Sequence, residues 1–173
     1  MKKRISYSAL SAFAKSPNHL LSYWERKTEP TTAMMFGSLL HKLLLEPDTF
    51  NLKFAVFEGT RRGKVWDSFK ADNSTKRIVT NKEFDNAELI INKATENKLF
   101  ADLLMRTNET EKLVEWSCNG VPYRGYVDMV GDGFIADIKT CVDGGDKFAR
   151  DLKYNDYPMQ GAMYLESFEN YNY

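Results

Sequence analysis

An α/β domain is predicted, with a helical N-terminal half and a central mixed sheet built on an antiparallel three-strand meander flanked by helices. Three observations predict it. The apolar spacing is helical through roughly the first hundred residues and switches to a period of two from Leu113. Two turn dipeptides, Asn119-Gly120 and Asp132-Gly133, punctuate the alternating stretch. At 173 residues with 43% hydrophobic content, the chain can bury one substantial core. A single domain over residues 1–173 is therefore expected, mainly helical over 1–110 and a β-meander with a closing helix over 111–173.

Tyr7 to Glu25 is expected to be helical, with Ser6 or Ser8 as cap and a break at Pro17, which has no amide proton to continue the ladder. Thr32 to Leu45 is the second helix, ended by Glu46-Pro47. Gly63 to Asp72 and Thr80 to Asn97 follow. In the latter, Phe84, Ala87, Leu89, Ile90, Ile91 and Ala94 form a broad apolar stripe. Phe100 to Met105 continues that helix or starts another. Leu113 to Cys118, Val121 to Met129 and the residues after Gly133 make the meander, and Pro158 to about Phe168 the final helix. Neither an internal repeat nor a low-complexity segment is present.

Turn chemistry fixes the register. With Asp132-Gly133 as the loop, Gly131 pairs with Phe134, and counting outwards sets Asp128 opposite Asp137 and Tyr126 opposite Lys139. Asp137 and Lys139, two apart on one strand, share a face. Facing carboxylates repel unless a cation or a shared proton lies between them, and the cation is the simpler answer. A solvated hairpin end is the alternative for an aspartate pair alone; the adjoining lysine favours chemistry. Carboxylates bind a hard cation, and an ammonium beside them offsets charge on phosphate, so the trio points to phosphodiester hydrolysis with Mg²⁺, for which Mn²⁺ can substitute. The same counting on the first hairpin sets Glu115 opposite Arg124, as a further metal ligand or a plain cross-strand ion pair.

Asp128 followed by Asp137-Ile138-Lys139 resembles the PD-(D/E)XK nuclease motif. Gln160 and Tyr164, one turn apart on the final helix, and His41 in an earlier helix are similar to the set that marks RecB-like nucleases. Ile5 to Leu10, Ser16-Pro17-Asn18-His19, Phe36 to Pro47 and Gly63-Lys64-Val65-Trp66 narrow the resemblance to the RecE or exonuclease VIII type domain of phages and prophages, over nearly the whole chain. The resemblance implies a restriction-endonuclease-like core. It implies that His41 and the backbone carbonyl of Ile138 join Asp128 and Asp137 at the metal, and that Gln160 and Tyr164 contact the phosphate backbone or order the site near Lys139. It further implies a 5′ to 3′ exonuclease on linear duplex DNA, a partner that anneals single strands, and a homo-oligomeric ring. A structure-specific endonuclease, or a catalytically idle DNA-binding module on the same fold, is the alternative. Members of the family continue beyond the Gln and Tyr helix into another core strand, so truncation at the C-terminus is expected.

Charge adds a constraint: 24 basic residues balance 24 acidic ones, so DNA contact is expected from local patches rather than overall charge. Arg61, Arg62 and Lys64 form one such patch, Lys2-Lys3-Arg4 another, and Arg124 is a further candidate. Each has the alternative of being an ordinary solvated charge. Two cysteines, Cys118 and Cys141, support neither a disulfide framework nor the four-cysteine cluster of the iron–sulphur branch of RecB-like nucleases. The Lys-Lys-Arg start precedes no signal-type apolar run, and a cytoplasmic protein without a membrane partner is expected.

Overall fold

The computed structural model describes residues 3–26, 29–141 and 145–168. Lys2 and the terminal residues 169–173, on which the N-terminal basic patch and the expected truncation partly fall, lie outside them. The chain divides into two compact units, residues 30–105 and residues 1–29 with 106–173.

In the contiguous unit, Thr31 caps α3 (Thr32–Leu45) by accepting from the Met34 amide at 3.2 Å. After a 3₁₀ turn and the short α4 (Phe50–Lys53), β1 (Phe54–Phe57), α5 (Gly63–Asp72) and β2 (Arg77–Thr80) form a βαβ unit with parallel strands, Phe54 beside Arg77 through Phe57 beside Thr80. α6 (Asn81–Thr95) starts on a reciprocal capping box: the Thr80 hydroxyl accepts from the Glu83 amide at 3.1 Å, and the Glu83 carboxylate accepts from the Thr80 amide at 2.7 Å. α7 (Lys98–Met105) follows. Leu39, Leu40, Phe50, Phe54, Val79 and Ala87 make the core. Helices α3 and α5 keep the boundaries expected from the sequence; the parallel strand pair is additional.

The second unit carries the meander. Strand β3 (Thr107–Cys118) pairs with β4 (Val121–Gly131), and β4 with β5 (Phe134–Ala136). Both registers are those the turn dipeptides dictate, with Cys118 opposite Val121, Glu115 opposite Arg124, Gly131 opposite Phe134 and Met129 opposite Ala136. Two features go beyond the sequence reading. β3 begins six residues earlier than Leu113, and β5 ends at Ala136, so Asp137 and Lys139 leave the ladder and the expected strand pairings of Asp128 with Asp137 and of Tyr126 with Lys139 are not formed.

Beyond the short reach of β5, the free edge of β4 is taken by the N-terminal segment. Ile5 lies parallel to Tyr123, its amide donating to the Pro122 carbonyl and its carbonyl accepting from the Arg124 amide, both at 2.9 Å. Two helices follow, α1 (Tyr7–Lys15) and α2 (Pro17–Glu25), divided at Pro17 as expected; Ser6 caps the first and Ser16 the second. α8 (Asp146–Tyr154) and α9 (Tyr157–Leu165) complete the unit, and α8 is an element the sequence reading lacked. Val114, Val127, Val130, Ile135, Met163 and Tyr164 form the core, with Tyr7 and Leu10 of α1 packed against it.

Candidate active site

The centre of the site is Asp128, 6% exposed on the middle strand of the meander. One carboxylate oxygen accepts from the Ile138 amide at 2.6 Å, which holds the turn after β5 against β4 and brings Asp137 and Lys139 beside Asp128. The Asp137 side chain is 3% exposed and in ion contact with the Lys139 ammonium. Its other oxygen accepts from Gln160 Nε2 at 2.9 Å, and the same amide nitrogen donates to the Tyr164 hydroxyl at 3.3 Å. Gln160 and Tyr164 are both buried on α9, one helical turn apart, so one face of that helix fixes the orientation of Asp137. Lys139 is steadied a second way, its ammonium lying 5.1 Å from the centre of the Tyr157 ring.

The sheet carries a third carboxylate that sequence reading missed. Thr110 pairs with Met129 and Lys112 with Val127, so Glu111 stands across from Asp128. Oxygens of the two carboxylates approach within 4.8 Å. Glu111 takes a left-handed backbone, φ 49°, at a cost of about 1 kcal/mol or more for a residue with a side chain. The counting on the first hairpin that set Glu115 opposite Arg124 also sets Glu111 opposite Asp128. The signal was available but lay in Thr107-Asn108-Glu109-Thr110-Glu111-Lys112, too polar to announce a strand.

Two tyrosines report the local electrostatics. Burial pushes the Tyr164 phenol above its usual pKa; the hydrogen bond from Gln160 opposes this, while the negative charges of Asp137, Asp128 and Glu111 add to it. Tyr7, whose hydroxyl donates to the Asn155 carbonyl at the α8–α9 turn, is raised to about 12, by burial first and then by Asp156, Tyr157, Asp137 and Tyr164. Both phenols stay protonated at neutral pH.

The donor set suits a hard divalent cation. The Glu111 and Asp128 carboxylates face each other, the Ile138 amide ties the Asp137 segment beside them, and carboxylates opposed across a sheet favour a positive charge between them. Gln160 Oε1 is buried without a hydrogen-bond partner among the described residues. Asp137 Oδ2, although touching Lys139, lacks an aligned hydrogen bond. Buried acceptors left open in this way fit an ion and its waters.

The remaining candidates are placed differently. Glu115 stands opposite Arg124 as expected, yet its carboxylate is held by Arg4 at 3.0 Å and sits four residues along β3 from Glu111, about 13 Å away. It does not join the cluster. The Arg124 guanidinium donates to the Tyr126 hydroxyl at 3.1 Å. His41 is half-buried on α3, in the other unit. In that unit Arg61 donates to the Ile78 carbonyl at 2.9 Å and pairs with Glu83 at 3.3 Å, while Arg62 and Lys64 are exposed at the start of α5.

The buried aspartates, the lysine two residues on and the hairpin that carries them agree with a comparison against protein families. The model of a PDDEXK-like domain of unknown function (DUF3799) matches residues 6–172. The chain belongs to this family. No curated protein matches the chain significantly. Among solved structures, a candidate exonuclease from Eubacterium rectale is similar to this PDDEXK-like domain, with a TM-score of 0.58 and 19% identity over 95% of the chain. The PDDEXK-like domain spans 61% of that protein's length. At this identity the likeness shows the fold alone, and the fold is that of the PD-(D/E)XK nucleases. No helix among the described residues is long and apolar enough to cross a membrane.

Proposed function

We propose that this PDDEXK-like domain is a metal-dependent DNA exonuclease that hydrolyses phosphodiester bonds of linear double-stranded DNA in the 5′ to 3′ direction, in the setting of phage recombination. The observation that carries the reading is the linkage of Asp128, Ile138, Asp137, Lys139 and Gln160 through a hydrogen bond, an ion contact and a second hydrogen bond, with Asp128 buried and the Asp137 side chain shielded from solvent.

Asp128 and Asp137 would hold Mg²⁺ or Mn²⁺, with the Ile138 carbonyl and, on the strength of the sequence resemblance, His41 completing the ligands. When bound, the ion supplies Lewis-acid polarisation of the scissile phosphate and acidifies a water. Lys139, tethered between Asp137 and the Tyr157 ring, offsets charge developing on the phosphate and takes or orders a proton of the attacking water. Gln160 holds the Asp137 rotamer, and Tyr164 keeps Gln160 in place as a neutral phenol. Arg62 and Lys64 are proposed contacts to the DNA backbone. Arg61 and Arg124 stay in the proposal with a smaller role, since each already has a partner within the fold. Assembly into a homo-oligomer and a partner that anneals single strands belong to the same proposal, as does a cytoplasmic location.

The test uses 5′-phosphorylated linear duplex and closed circular DNA, each with Mg²⁺ or EDTA, beside an Asp137→Ala control. Loss of the linear substrate alone, only with Mg²⁺ and only in the wild type, is expected. Wild-type protein inert towards both substrates with Mg²⁺ refutes the enzyme, and equal cutting of circles replaces the exonuclease with a structure-specific endonuclease.

A further inference from the structure

We propose that Glu111 is a third carboxylate ligand of the catalytic cation and shares it with Asp128; this rests on the metal-dependent reading above. Glu111 and Asp128 face each other across β3 and β4, with oxygens within 4.8 Å, and the segment carrying Asp137 is tied to Asp128 through the Ile138 amide. Like charges set opposite one another on a sheet repel, the more so where one is buried, and a cation between them relieves that repulsion.

A second observation points to a ligand independently of the acidic residues. Gln160 is 5% exposed, its nitrogen is committed to Asp137 and Tyr164, and its oxygen has no partner among the described residues. An acceptor left open beside Asp137 suits the hydrogens of a partly hydrated Mg²⁺, an ion that characteristically keeps several waters. The left-handed backbone at Glu111 places a side chain where the strand would prefer none, between two normally paired neighbours. The position is therefore occupied by a residue whose carboxylate has a use. The charge of Glu111 also acts on Tyr164, together with those of Asp137 and Asp128.

The ligand role differs from a structural one in sign. Without metal, Glu111→Gln removes a repulsion, so its melting temperature should equal or exceed that of the wild type. With metal, its affinity for Mn²⁺ in isothermal titration calorimetry should fall at least about tenfold, and the metal-induced rise in melting temperature should shrink accordingly. Glu111→Asp, which keeps the charge on a shorter arm, should bind with intermediate affinity. Wild type and Glu111→Gln binding Mn²⁺ equally well overturns the ligand role while leaving the nuclease reading intact, as does a Glu111→Gln protein that is less stable than wild type without metal but unaltered in affinity. Wild-type protein that binds no Mn²⁺ overturns both.

Discussion

Replacing Gly125 by alanine tests whether α9 is seated on the meander as described. A Cβ built on Gly125 lies 2.3 Å from Tyr164 Cε1 and 3.0 Å from Cζ, whereas ordinary contact begins near 3.4 Å, so ring and strand must part by about 1 Å. Neither side yields easily. Tyr164 is 5% exposed in the core with Val114, Val127 and Met163 around it, and Gly125 is in the middle of a paired strand. Overpacking of this kind costs about 1–3 kcal/mol. The displacement also propagates, because the Tyr164 hydroxyl accepts from Gln160 and Gln160 orients Asp137. Misplacing catalytic groups by about 1 Å lowers turnover on the order of 10²-fold. Urea unfolding of Gly125→Ala and its rate on linear duplex DNA measure the two effects. A Tyr164→Ala background supplies the control, since there the added methyl has room and should cost far less stability. Additive costs in the double variant, or a Gly125→Ala protein with wild-type stability and turnover, would refute the packing of Tyr164 on Gly125.

Three other substitutions probe separate parts of the molecule. Tyr157→Phe should keep Lys139 in place and leave turnover near the wild-type value, whereas Tyr157→Leu should lower it several-fold, matching the roughly 0.5–1 kcal/mol of an ammonium–ring contact; equal rates in the two variants would count against that contact. Glu115→Gln should change stability by less than about 1 kcal/mol and leave Mn²⁺ affinity unaltered, because its charge serves an exposed pair with Arg4; calorimetry showing weakened binding would return Glu115 to the metal. Glu83 is held below its usual pKa of 4.5 by the Thr80 amide first, with further help from the Thr80 hydroxyl and Arg61 against the opposing effect of burial. Its contribution is then full above about pH 4.5 and is lost as the pH falls through the lowered value, so melting curves should show wild type losing more stability than Glu83→Gln on acidification. Identical acid profiles would exclude the capping role.

The turn dipeptides made much of the site legible, since Asn119-Gly120 and Asp132-Gly133 fix both registers and place Asp128 and Glu115, while Asp137 lies past the end of the ladder and is brought in by the Ile138 amide. The Glu46-Pro47 stop did the same for the end of α3, and Pro17 for the break between α1 and α2. What stayed hidden had weak local signals. The β1 and β2 strands are four residues each, and the second begins with an arginine, so their pairing depends on the helix packed between them in sequence rather than on alternation. Glu111 sits in a polar run that becomes a strand because β4 pairs with it. Helix α8 is short, carries mostly charged residues and buries none of its residues completely. The ion partner of Glu115 was hidden for a different reason: Arg4 reaches it from the far end of the sequence, where no register rule applies.

The parallel bridge between Ile5 and Tyr123 bears on how the chain folds as it is synthesised. Residues 30–105 are contiguous and can reach their own core while the rest is still being made. The unit with the aspartates cannot, because its first extended segment has no edge to join until the Asn119-Gly120 hairpin exists. Closing so long a loop carries an entropic cost that only the completed meander offsets. The nuclease half is thus a late-folding half, its N-terminal segment waiting through the synthesis of an entire unit, and the emerging chain is most open to proteases and to mispairing in that interval.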